Sequence, residues 1–160
     1  MTEFAFSGVG MNPHYGTPGN PADRARIPGG STSGGAVAVA DGMCEIAIGS
    51  DTGGSTRIPG ALCGLVGFKP SRQRISIAGV FPLAASIDSV GPIARSVADC
   101  AKADAVMAGD DFAALEPEPL PLAGLRIGLA QGALLENLDE TGVKRFPQAI
   151  DRLEKAGARL

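Results

Sequence analysis

Two short segments gather the residues best suited to chemistry, PGGSTSGG at 28–35 and GSDTGGSTRIPG at 49–60, and residues 29–60 together hold nine glycines. Small side chains leave backbone N–H groups open, and such donors can stabilise the oxyanion that forms when a carbonyl is attacked; removing one donor costs roughly 100- to 1,000-fold in rate. Ser55, in Thr52-Gly53-Gly54-Ser55, therefore suits a nucleophile beside its own oxyanion hole. Two other readings compete. A phosphate cradle is disfavoured, because neither a G-x-x-x-x-G-K-[ST] loop nor a G-x-G-x-x-G fingerprint occurs and neither loop carries a lysine. Tight turns in a glycine-rich core would explain one isolated loop, but two around a single strand favour catalysis.

A serine hydroxyl is a weak nucleophile until a base takes its proton. His14 is the single histidine and sits in the turn-rich NPHYGTP, and no G-x-S-x-G elbow is present. A Ser-His-Asp arrangement is thus poorly supported, and His14 is read as structural. No S-x-x-K occurs either. Lys102, Lys144 and Lys155 fall on predicted helix surfaces and Lys69 follows an apolar run in GFKP, so solvation is their default role.

The elements that must position Ser55 follow from the surrounding pattern. Residues 1–30, rich in Gly, Pro and Asn, read as an irregular surface arm. A helix of small residues begins near Ser31 and ends at Gly42, and CEIAIGSD is a short apolar strand. A second short helix starts with Pro59 as its first helical residue, and LVGFKP is another strand. Residues 75–95, with Pro82 and Pro92, read as a loop-heavy crossing. A Ser96-x-x-Asp99 capping box then opens a helix whose apolar face is Val97, Cys100, Ala101, Val106 and Met107. Residues 110–124, with Pro117, Pro119 and Pro121, form an extended connector. LRIGLA is a strand, and a helix capped by Asp139 and stopped by Gly157 presents Phe146, Ile150 and Leu153, with Pro147 disturbing its first turns. Residues 158–160 look like the opening of a further strand. Such alternation predicts an α/β sheet covered by helices.

Composition narrows the function classes. The 160 residues, 44% hydrophobic with a formal charge of −3, can bury one sizeable core, and no stretch approaches the roughly 20 apolar residues of a membrane span. No run of Lys or Arg offers an electrostatic footprint for nucleic acid. Cys44, Cys63 and Cys100 form no C-x-x-C pair, and MTEFAFSGVG lacks the features of a signal peptide, so a cytoplasmic setting is expected.

PGGSTSGGAVAVADG followed by AIGSDTGGSTRIPGALCGLVGFKPS closely resembles the amidase signature. MTEFAFSGVGMNPHYGTPGNP before it and GVFPLAASIDSVGPIARSVADCA after it extend the likeness over residues 1–108, with the tail to 160 a looser fit. The resemblance implies a partial amidase-signature domain over 1–160, with its signature core at 28–108, the Pro-rich connector at 110–124 and a strand-helix tail at 125–160. Its fold would be an amidase-signature-like mixed sheet covered by helices, incomplete at both ends. The implied activity is hydrolysis of a carboxylic amide through a serine acyl-enzyme, with no metal or organic cofactor. Ser55 would be the acylated nucleophile, Ser31 the bridging serine with a cis peptide bond, and Ser33 a loop residue. The N–H groups of Thr52, Gly53, Gly54 and Ser55 would form the oxyanion hole, while Asp51 and Arg57 brace the loop. The third member of the Ser-Ser-Lys triad lies upstream in the family, outside these residues, and Lys69 does not replace it. A small-molecule amide is the expected partner, not nucleic acid or membrane, and homo-oligomerisation is left open. The alternatives are an inactive truncated remnant and a fragment of the A chain of an aminoacyl-tRNA amidotransferase.

Overall fold

Three strands, β1 (Ile46–Asp51), β2 (Val66–Gly67) and β3 (Ser89–Ala94), build an antiparallel sheet in the order β1-β3-β2. The computed structural model describes residues 1–111 and 119–160. It divides into two compact units, Met1–Pro117 and Glu118–Leu160, and the sheet belongs to the first. β1 pairs with β3 along its whole length, from Ile46 opposite Ala94 to Asp51 opposite Ser89. That register makes the chain leaving Asp51 and the chain entering Ser89 neighbours at one end of the sheet.

The central strand lies inside the segment expected to be a loop-heavy crossing. Gly91 and Pro92 hide it, since both residues are unusual in strand interiors. Pro92 has no N–H to give, yet its carbonyl accepts from Phe68 N at 3.0 Å, so the ladder continues on the β2 side.

Helix α1 (Ser33–Ala40) covers the sheet with small residues, and Ala36, Val37, Cys63 and Ile93 form a core against which Ala40, Ala47 and Leu65 pack. Its end at Gly42, φ +74°, is where the sequence placed it. α2 (Arg57–Leu62) begins two residues before Pro59 rather than at it. The first four helical N–H groups have no intrahelical acceptor, so proline in the third position still costs no hydrogen bond.

α3 (Val97–Ala108) is capped as expected, with Ser96 Oγ accepting from Asp99 N at 3.0 Å and Gly109 closing it at φ +81°. Its buried side differs from the predicted face. Cys100, Asp104 and Ala105 turn inward, whereas Val97 and Val106 are exposed. Asp104 is drawn in by the Arg74 guanidinium, whose Nε lies 2.6 Å from its carboxylate.

In the second unit, Asp139 caps α4 (Glu140–Lys155) through Gly142 N at 2.7 Å, and Gly157, φ +95°, follows its end. The helix runs through Pro147 without breaking. Phe146 is exposed, and Ile150 and Leu153 are half-buried. The strand expected at 125–130 is reduced to a single parallel bridge, Arg126 to Arg159, flanked by Ile127 N to Arg159 O and Arg159 N to Leu125 O, both 2.8 Å. Of residues 158–160, Arg159 makes that pairing, and residues 112–118 of the expected connector lie outside the described residues. Among the described residues no helix is long and apolar enough to cross a membrane.

Candidate active site

Ser55 follows β1 by four residues and lines a cleft of about 360 Å³ together with Thr52, Gly53 and Ile58. The turn that carries it is organised from within. Asp51, fully buried at the end of β1, accepts from Gly54 N at 2.8 Å, Thr56 N at 3.0 Å and Thr56 Oγ1 at 2.9 Å. Arg57 closes on the same carboxylate through Nε at 3.1 Å and Nη2 at 2.9 Å, a bidentate pair. Burial alone would raise this carboxyl, but the hydrogen bonds from Arg57 and Thr56 and the guanidinium charge outweigh it and hold it at about 2. Asp51 and Arg57 thus brace the loop, as the sequence suggested. Gly54, φ +136°, holds a backbone conformation that would strain any other residue, and a Cβ there would push Ile58 Cδ1, 2.7 Å away, aside.

One of the four predicted oxyanion donors is already committed, since Gly54 N–H points at Asp51. The N–H groups of Gly53 and Ser55 have no acceptor among the described residues.

Ser31 lies in the second glycine-rich loop, fully buried, and the Gly30–Ser31 peptide is cis. Thr32 N donates to Ser55 O at 3.2 Å, so the two loops meet beside these serines. Ser31 Oγ, Thr32 Oγ1 and Ser33 Oγ are buried with no hydrogen-bond partner among the described residues. Ser33 opens α1 rather than belonging to the loop.

Apart from a 3-10 turn at Glu3–Ala5, which the sequence reading did not expect, the first ten residues are irregular, but they are not a mere surface arm. Ala5, Phe6, Ser7 and Gly8 line the Ser55 cleft, Gly30 N donates to Gly8 O at 2.8 Å, and Thr2 N donates to Ser31 O at 3.1 Å. Gly10, φ +84°, is where this segment crosses the serine loop, and a Cβ on it would fall 2.1 Å from Gly29 O. Leu83 and Ala84 also line the Ser55 cleft. Their N–H groups donate to the buried carboxylate of Asp88, which also accepts from Thr52 Oγ1. Burial works to raise Asp88, but the Thr52, Ala84 and Leu83 hydrogen bonds and the Lys69 charge bring it below the ordinary value. Sequence reasoning did not single out Asp88. Nothing in SIDSVGP distinguishes it until the β1–β3 register places it beside Thr52.

His14 stays apart from this assembly. It is exposed, 3.5 Å from the Glu3 carboxylate, and does not line the cleft; nor does any lysine among the described residues.

The family profile described as Amidase matches residues 1–160. The chain belongs to the amidase signature family. Its relatives include the A chain of the glutamyl-tRNA(Gln) amidotransferase of Salinibacter ruber, 40% identical over 98% of this chain and 32% of its own length. The 2-amino-5-chloromuconic acid deaminase of Comamonas testosteroni is 37% identical over 99% of this chain and 35% of its own. A crystal structure of an amidase superposes with a TM-score of 0.86 at 38% identity, covering 99% of this chain and 36% of that one. The chain therefore spans about a third of the relatives it matches, and over that third it has the amidase-signature fold. Burial pushes the Cys63 and Cys100 thiols up, away from the reactive thiolate form.

Proposed function

We propose that this chain carries the nucleophile half of a serine amidase. Ser55 Oγ attacks the amide carbonyl carbon, and its proton passes to Ser31 Oγ as the Ser31 proton passes to a lysine amine. That lysine belongs to the part of the relatives' length that these 160 residues do not span. The oxyanion is held by N–H groups of the Thr52–Ser55 turn, chiefly those of Gly53 and Ser55. Collapse of the tetrahedral adduct breaks the C–N bond, and the departing nitrogen takes the proton back along the same path. Water then hydrolyses the Ser55 ester with the proton transfers repeated. No metal or organic cofactor enters these steps.

The observation that carries this reading is the meeting of the two loops. Ser55 lines an open cleft, and beside it Ser31 holds a buried hydroxyl that nothing in the described residues satisfies. A buried hydroxyl without a partner is unfavourable, and a proton relay to an added lysine would satisfy it. A serine-directed fluorophosphonate provides the test, applied to the protein alone and to the longest form that its gene encodes. The expected result is a single adduct on Ser55, lost in Ser55→Ala; an adduct elsewhere, or none in the longest form, refutes the reading.

A second reading, favoured by the likeness to the Salinibacter ruber amidotransferase chain, is a glutamine-hydrolysing component that passes ammonia to a partner. Both readings use the same Ser55 chemistry. Purification of the longest form with a stoichiometric partner chain and a preference for glutamine would select the second. Activity of that form by itself on simple amides would select the first.

A further inference from the structure

We propose that Asp88 is a positioning residue that fixes the shape of the Ser55 cleft, tying Thr52, in the turn that carries Ser55, to Leu83 and Ala84, which line the same cleft. The consequence for acylation rests on the reading of Ser55 given above, but the tie itself does not. Asp88 Oδ1 accepts from Thr52 Oγ1 and from Ala84 N at 3.1 Å, and Oδ2 accepts from Leu83 N at 2.9 Å and Ala84 N at 3.0 Å. The turn is closed a second time, because Ile87 N and Asp88 N both donate to Ala84 O at 2.9 Å. Asp88 is buried, so water cannot readily replace these acceptors.

The tie is built into the fold by register. Asp51 and Ser89 are paired, and Ser89 Oγ donates to Asp51 O at 3.1 Å, so Thr52 and Asp88 are the first residues beyond the last rung of the ladder. Thr52 is thereby fixed at two points, through the backbone after Asp51 and through its side chain on Asp88. Asp51 orders the turn internally, whereas Asp88 is the carboxylate that joins the turn to Leu83 and Ala84. An ionised carboxylate suits the task because every group aimed at it is a donor. Asparagine would turn an NH2 towards one of those donors.

Two measurements on Asp88→Asn, Thr52→Val and Thr52→Ser separate the tie from the chemistry. Hydrogen exchange of the Leu83 and Ala84 amides reads the tie directly, and in Asp88→Asn it is expected to rise about tenfold or more over the wild type, with α1 and β1 amides unchanged. Fluorophosphonate labelling of Ser55 reads the consequence, with a loss of about tenfold to 100-fold in Asp88→Asn and about tenfold in Thr52→Val, and recovery of most of it in Thr52→Ser, which keeps the hydroxyl. If Asp88→Asn does not fold, Thr52→Val and Thr52→Ser carry the same comparison. Unchanged exchange at 83–84, or wild-type labelling in Asp88→Asn and Thr52→Val, overturns the proposal. A wild type that never labels on Ser55 refutes the reading of the nucleophile, and the exchange data then decide the tie alone.

Discussion

The two glycine-rich loops hold similar residues and are stabilised in opposite ways. In the loop at 51–57 a buried carboxylate gathers backbone, hydroxyl and guanidinium donors, so the turn carries its own source of order. In the loop at 28–33 the backbone is held by other segments, through Gly8, Thr2 and Ser55, while the hydroxyls of Ser31, Thr32 and Ser33 are buried without partners among the described residues. Each such hydroxyl costs on the order of 1–3 kcal/mol. The comparison separates a loop ordered largely by a carboxylate of its own from one whose backbone is held by other segments.

Removing the internal organiser is the harshest way to break this contrast. Asp51→Ala takes the acceptor from Gly54 N, Thr56 N and Thr56 Oγ1 at a buried site, at about 1–3 kcal/mol for each donor left unsatisfied, while the half-exposed Arg57 guanidinium can turn to solvent. Urea denaturation of the variant checks this. A loss under about 1 kcal/mol would mean that the turn holds its shape without Asp51 and that the contrast is false.

A milder perturbation titrates the same carboxylate. Its folded value is held at about 2, below the ordinary 3.8, so ionised Asp51 stabilises the fold. The sign follows from the direction: this stability is fully present above about pH 4 and is lost as pH falls through 2, where both folded and unfolded states become protonated. The size is about 2 kcal/mol. Comparing urea midpoints of the wild type and Asp51→Asn from pH 5 to pH 2 isolates it from other carboxylates. The gap between the two is expected to narrow on acidification, and a constant gap would remove the carboxylate charge from the account.

What was legible in the sequence follows the same division. The 51–57 loop was readable because its order is local: Asp51, Thr56 and Arg57 lie within seven residues, and Gly54 marks a backbone turn at φ +136° that other residues rarely make. The caps at Ser96, Asp139, Gly42 and Gly157 are local in the same sense. β3 was missed because Gly91 and Pro92 imitate a loop, and only their pairing with Gly49 and Ile48 of β1 makes them strand. Asp88 and the cleft-lining Ala5–Gly8 were missed because their roles depend on contacts with residues tens of positions away. Val97 and Val106 were assigned inward by helical periodicity, which carries no information on how Arg74 would draw Asp104 to the buried side.

The smallest change tests the open loop. Ser31→Ala deletes a hydroxyl that has no partner among the described residues, so it removes a buried polar group without orphaning another. Stability is therefore expected to be unchanged or to rise by up to about 1 kcal/mol, in contrast to the loss in Asp51→Ala. If Ser31 relays the Ser55 proton, the same variant in the longest form loses fluorophosphonate reactivity by roughly 100-fold or more, the usual range for a positioned proton-transfer group. Stability and reactivity then move independently, which a merely structural serine would not allow. A Ser31→Ala protein that loses several kcal/mol would show that the hydroxyl is engaged after all. One that keeps full reactivity would remove Ser31 from the proton path and leave Ser55 to find its base directly.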